Sequence, residues 1–127
     1  MMPKNKIMIA DDDRGIVDFL TILLEFEGYE VSSTLVGSTL LNMTTEIPDL
    51  LIMDIWMSGI DGRDICKHLK GQAITSHLPI LMVSASKDIE RSALAAGANV
   101  FLAKPFEMDE LLQTIRQQLG LDKTITA

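Results

Sequence analysis

Apolar runs alternate with segments of helical period from one end of the chain to the other, and few folds accept that order. Strand-like runs lie at Lys6–Ala10, Tyr29–Thr34, Leu50–Ile55, Pro79–Ser84 and Val100–Ala103. The first, third and fourth are apolar almost without interruption, as strands covered on both faces should be. Between them, Ile16, Phe19, Leu20 and Leu23 form a helical stripe ended by Gly28. Met108, Leu111, Leu112, Ile115 and Leu119 form another, stopped at Gly120. Shorter helices are expected near residues 38–46, 62–71 and 88–96, with Asp61 as an N-cap. Five strands alternating with five helices predict a parallel sheet with helices on both sides.

The size agrees. The chain has 127 residues, 47% of them hydrophobic, which suits a single core and a single domain over 1–127 with a frayed tail at 120–127. A net charge of −7 argues against direct nucleic acid binding, which needs clustered Lys and Arg. No apolar run approaches the roughly 18 residues of a membrane span, and “MMPKNK” leads straight into a strand rather than a signal peptide. The lone Cys66 has no partner for an internal disulfide and reads as a small buried hydrophobe. Together these features predict a cytoplasmic, reduced setting.

The stretch “KIMIADDDRG” carries the chemistry. The first strand ends in three carboxylates, Asp11, Asp12 and Asp13. In open α/β sheets ligands sit beyond the carboxyl ends of strands, so these acids fall where a site belongs. Strand three ends “LLIMDIWMSGIDG”, with Asp54 inside an apolar run; strand four ends “PILMVSAS”, with Ser84 at its tip; strand five ends “FLAKPF”, with Lys104 before a proline. Carboxylates from strands one and three, a hydroxyl and an ammonium thus converge on one rim. Clustered acids are tolerable beside a hard divalent cation such as Mg2+. A carboxylate there can act as nucleophile toward a phosphoryl group, whose charge a metal and a lysine neutralise.

The motifs “IADDD”, “MDIWMSGIDG”, “VSAS” and “AGANVFLAKPF” occur in this order, and over essentially its whole length the sequence resembles the receiver domains of two-component response regulators. The resemblance implies a flavodoxin-like (βα)5 three-layer sandwich with strand order 2-1-3-4-5. It implies Asp54 as phospho-acceptor and Asp11 and Asp12 as metal-site acids, with Asp12 the more direct ligand. The backbone carbonyl of Trp56 completes the protein ligands for Mg2+, or for Mn2+ in its place. Ser84 becomes the switch hydroxyl, Phe101 the switch aromatic, and Lys104 the lysine at the acceptor. The expected function is a phosphorylation-dependent switch, charged by a sensor histidine kinase or a histidine phosphotransfer protein. It catalyses only its own phosphorylation and dephosphorylation and is otherwise not an enzyme. Output is expected through helix four, strand five and helix five, roughly residues 87–119, toward a downstream protein partner. No effector segment follows, so the expectation is either a stand-alone regulator or a piece of a larger one.

The sequence departs from the family pattern in four places. Ser58 stands where the family usually has Pro, which predicts a looser loop that touches no reacting group. The stretch from Ala85 to Gly97 is about two residues shorter than in many relatives. Ser84 replaces the commoner Thr. Phe101 lacks a Tyr hydroxyl, so apolar burial alone sets its ring and favours the inward position.

Plainer readings stand beside these. Asp13 reads as a solvated turn or a helix N-terminus near the start of helix one. Asp54 and Lys104 as a structural ion pair is the main rival to an acceptor site. Trp56 is either packing or a shield beside Asp54. His68 and His77 lack metal-ligand spacing, and the eight methionines read as core filler. The resemblance implies a cis bond before Pro105, where sequence alone favours trans. Among other functions, a Mg2+-dependent aspartyl-phosphate phosphatase needs a second acid two residues after the nucleophile, where Trp56 stands. A flavin-binding protein needs a Ser/Thr/Gly-rich phosphate loop where Asp11–Asp13 stand. A phosphoryl carrier in a relay would use the same residues.

Overall fold

The computed structural model describes residues 4–121. Its elements run β1 (Lys6–Ala10), α1 (Arg14–Phe26), β2 (Glu30–Thr34), a 3-10 helix (Gly37–Asn42) and β3 (Leu50–Asp54). A small hairpin follows, β4 (Trp56–Met57) and β5 (Ile60–Asp61), and then α2 (Gly62–Lys70) and β6 (Ile80–Ser84). A 3-10 turn (Lys87–Ile89), α3 (Glu90–Ala95), β7 (Val100–Ala103) and α4 (Met108–Gln118) complete the chain. The main sheet is ordered β2-β1-β3-β6-β7 with every neighbour parallel. With the hairpin set aside, this is the expected 2-1-3-4-5 order.

Pleating sorts the strand residues into two cores, because successive side chains point to opposite faces. Ile7, Ile9, Leu50, Ile52, Leu81 and Val83 pack against Val17, Leu20 and Leu24 of α1 and Leu111 and Ile115 of α4. Leu51, Met53, Ile80 and Met82 face the other way, against Ile65, Cys66 and Leu69 of α2, Ala93 of α3 and Leu40 of the 3-10 helix. The three-layer sandwich follows from that alternation. Cys66 is fully buried, and burial pushes its thiol up to about 11, so it is a core residue rather than a nucleophile.

Several local expectations are corrected. The segment near 38–46 is a 3-10 helix at Gly37–Asn42 rather than an α-helix. The Thr39 hydroxyl donates to the Val36 carbonyl, and Thr34 also binds Val36, so side chains here compete with helical backbone bonds. The segment near 88–96 is divided between the 3-10 turn and the six-residue α3. In α1 the buried stripe is Val17, Leu20 and Leu24, and Phe19 is 53% exposed. Val17, Leu20 and Leu24 share a face at i, i+3 and i+7, and Phe19 falls off it.

The expected Asp61 cap is present, and Asp13, read as a helix N-terminus, also proves to be a cap. Asp13 accepts from the N–H groups of Gly15 and Ile16, and Asp61 from that of Arg63. At the other end Gly120 and Leu121 donate to the carbonyls of Gln117 and Arg116, so these two residues close α4 instead of fraying. The rest of the expected frayed tail, 122–127, lies outside the described residues. The Lys104–Pro105 bond is cis.

Candidate functional site

The carboxyl ends of β1, β3 and β7 bring the acids and the lysine together. Asp11, Asp12 and Asp54 each present a carboxylate oxygen within 4.8 Å of the others. Lys104 Nζ lies 3.3 Å from Asp11 Oδ2 and 3.3 Å from Asp54 Oδ1. Register explains the meeting. β1 and β6 flank β3, and β7 pairs with β6 with Ser84 opposite Ala103. The Lys104 N–H donates to the Ser84 carbonyl at 2.8 Å, which fixes the lysine one residue past its strand.

Environment grades the acids. Asp11 is 3% exposed, and its two oxygens are spoken for by the Asp13 N–H and by Lys104. Asp12 is exposed. Asp54 lies between them, partly buried. Burial raises the Asp54 carboxyl above its ordinary value, Lys104 pulls it back, and the Asp11 charge raises it again. For Lys104, burial works against the charge, but Asp54 and Asp11 outweigh it and hold the ammonium above its ordinary value. One lysine therefore stands against three acids. The cluster remains short of positive charge, and its all-oxygen donors suit a hard cation such as Mg2+.

Ser84 is 4% exposed and its Oγ accepts from the Ser86 N–H at 3.1 Å. A hydroxyl also carries a proton to donate, and among the described residues none accepts it. Phe101 is 9% exposed and packs in the α2/α3 core, the inward position expected of it. The Trp56 ring is 55% exposed and lies under the Arg63 guanidinium, 5.3 Å from its centroid. The ring is therefore the outer wall of the hairpin, engaged by a cation, rather than packing.

Sequence reasoning missed three residues. Ser58 does touch the site: its backbone N–H donates to Asp12 Oδ2 at 2.9 Å, which corrects the expectation of a loose, uninvolved loop. Gly62 has no room for a side chain; a Cβ there would stand 2.8 Å from the Asp54 carbonyl oxygen. Arg63 binds Asp61 through two nitrogens, covers Trp56 and donates to Ser92 of α3. Its hydrogen bonds hold the Asp61 carboxyl below its ordinary value. The signals available were slight: a Ser-Gly turn pair, a glycine after the Asp61 cap, and an arginine two residues from an acid.

Residues 7–116 match the response regulator receiver domain family. The chain belongs to that family. The receiver is 38% identical over 121 residues to the response regulator MprA of Mycobacterium tuberculosis, covering 93% of this chain and 52% of that protein. It thus spans about half the length of the curated relatives it matches. A putative response regulator from Chloroflexus aurantiacus has a crystal structure at TM-score 0.87 and 35% identity, covering 93% of this chain and 99% of that one. The response regulator TrrA of Thermotoga maritima, in complex with Mg2+–BeF, matches at TM-score 0.81 and 26% identity, over 90% and 98% of the two chains. Among the described residues no helix is long and apolar enough to cross a membrane.

Proposed function

We propose that Asp54 accepts a phosphoryl group from a phosphorylated histidine of a sensor kinase or phosphotransfer protein, making this receiver a switch of a cytoplasmic two-component system. The observation that carries the reading is the Asp54 carboxylate held 3.3 Å from the Lys104 ammonium within an uncompensated acid cluster. A purely structural ion pair would not gather two further acids at the same point. An Asp54 oxygen forms the new P–O bond while the P–N bond to the donor imidazole breaks, and the imidazole leaves with that electron pair. Lys104 neutralises charge on the equatorial oxygens, and the free Ser84 proton donates to one of them.

Asp11, Asp12, Asp54 and the Trp56 carbonyl would hold Mg2+, or Mn2+ in its place. When bound, that ion supplies positive charge to the transferring group. The buried Asp11 orients Lys104, and the exposed Asp12 is the acid open to exchange with solvent. Output passes to a protein partner, or to a further domain of the same protein, through α3, β7 and α4. The acidic surface supports no direct role in binding nucleic acid.

Treatment with a small acyl phosphate and Mg2+ tests this by intact mass. One added phosphoryl group is expected on the native chain and none on Asp54→Asn. Equal labelling of the two would overturn the assignment.

A further inference from the structure

We propose that the Ser58 backbone N–H is a positioning donor for Asp12, holding that carboxylate in the metal site through a hairpin that proline cannot form. The inference rests on the Mg2+ site proposed above. β4 and β5 pair antiparallel with Met57 opposite Ile60, which leaves Ser58 and Gly59 as a two-residue loop. Their φ angles are +50° and +81°. Left-handed geometry at both central residues is the type I′ turn, whose twist matches that of the flanking strands. Glycine takes it freely, whereas serine is strained there because its Cβ crowds the following carbonyl oxygen.

Two contacts offset that strain. The Ser58 N–H donates to Asp12 Oδ2 at 2.9 Å, and the Ser58 Oγ reaches the Leu35 carbonyl at 3.4 Å. The fully buried Met57 pins the other side of the hairpin. The bond to Asp12 is charge-assisted and stronger than the contact to Leu35.

What it does follows from the exposure of Asp12. Among the described residues no other donor reaches this carboxylate. Without Ser58 its side chain would turn freely in solvent, and a cation would have to order it on binding. A carboxylate has about four acceptor sites, so one N–H leaves room for a metal. The bond therefore orients the acid without occupying it. Proline has no N–H and its φ is fixed near −65°, so it loses both the donor and the turn.

Mg2+ titration followed by the fluorescence of Trp56, the single tryptophan, tests the proposal on native protein, Ser58→Pro and Ser58→Gly. Ser58→Gly keeps the N–H and the turn and should bind within about twofold of native. Ser58→Pro should bind about tenfold more weakly, the usual scale for losing a donor behind a metal ligand. Equal or tighter binding by Ser58→Pro would overturn the proposal. So would an equal loss in Ser58→Gly, which would assign the effect to the hydroxyl. Should Ser58→Pro fail to fold, amide exchange at Ser58 in the native protein decides. Protection retained on adding Mg2+ supports positioning, and protection lost means that the N–H competes with the metal and overturns it. No Mg2+ binding by native protein would instead remove the metal-site reading, and this proposal with it.

Discussion

Asp54 is the residue where the demands of folding and of chemistry conflict. Partial burial and the Asp11 charge oppose its ionisation, and Lys104 only partly compensates. Its folded value lies above the ordinary 3.8, so the native state binds this proton more tightly than the unfolded chain does. The group therefore favours the fold below its unfolded value, and that contribution is lost as pH rises through the folded value. At neutral pH the ionised acceptor is a net cost. Asp54→Asn should then raise the melting temperature in metal-free buffer at pH 7, with the gap narrowing as pH falls toward 4. Paired melting scans of the two proteins across that range check both parts. A variant no more stable than native at pH 7 would mean that Lys104 fully compensates the acid. Lys104 carries the opposite sign of charge but the same direction of shift. Its ion pairs stabilise the fold below its ordinary 10.5 and are lost as pH climbs through the higher folded value.

At the scale of elements, α2 starts hard against the acceptor strand. The Gly62 N–H donates to the Ile55 carbonyl, and a Cβ at Gly62 would meet the Asp54 and Ile55 backbone at 2.8–3.1 Å. Backbone cannot yield as a flexible side chain can, so Gly62→Ala should destabilise by about 1–3 kcal/mol. It should also slow phosphorylation, since the atoms displaced belong to the acceptor residue. Urea unfolding and acyl phosphate labelling measure the two effects. A stability change within the error of the unfolding curve would show that α2 can shift freely. The same element shows what the sequence made legible. Its cap, Asp61, was readable because capping uses a side chain, and the strands were readable because burial on both faces demands apolar residues. The close approach at Gly62 left only a glycine in a turn. The Ser58 contact left less, because every residue but proline has a backbone N–H and only register and a positive φ reveal where it points. The helix expected near 38–46 failed for a related reason. Leu40, Leu41 and Met43 suit helical spacing, but the threonine hydroxyls bind the backbone and favour a tighter turn.

At the scale of the whole molecule, phosphorylation matters only if the two faces of the sheet communicate. Asp54 continues the strand parity of Leu50 and Ile52, toward α1 and α4, whereas Ser84 continues that of Ile80 and Met82, toward α2 and α3. A bond from Ser84 to a phosphoryl oxygen would therefore carry a change from the acceptor to the α3 side. Phe101 is already buried there, so moving its ring inward is not available as the main response. The adjustable part is the segment after β6. Ser84 Oγ accepts from the Ser86 N–H, Ser86 Oγ donates to Asp88 at 2.6 Å, and the 3-10 turn at Lys87–Ile89 leads directly into α3. Drawing Ser84 toward a phosphoryl group strains the 3.1 Å bond to Ser86 and releases that turn. The Arg63–Ser92 bond ties the far end of the same segment to α2, and Arg63 in turn binds Asp61 and covers Trp56 of the hairpin, so both ends answer to the acceptor loop. A ligand shifts such an element only through contacts that differ between its states, and the Ser84 bond is that contact. With beryllofluoride and Mg2+, amide exchange should therefore rise across residues 86–92, while β7 around Phe101 stays unchanged. Loss of one hydrogen bond worth about 1 kcal/mol corresponds to roughly fivefold faster exchange. Ser84→Ala should still accept the phosphoryl group on Asp54 but show no change in exchange across 86–92. Identical exchange in the native protein with and without beryllofluoride would remove the switch, and would leave Asp54 as a phosphoryl carrier whose surface does not report its state.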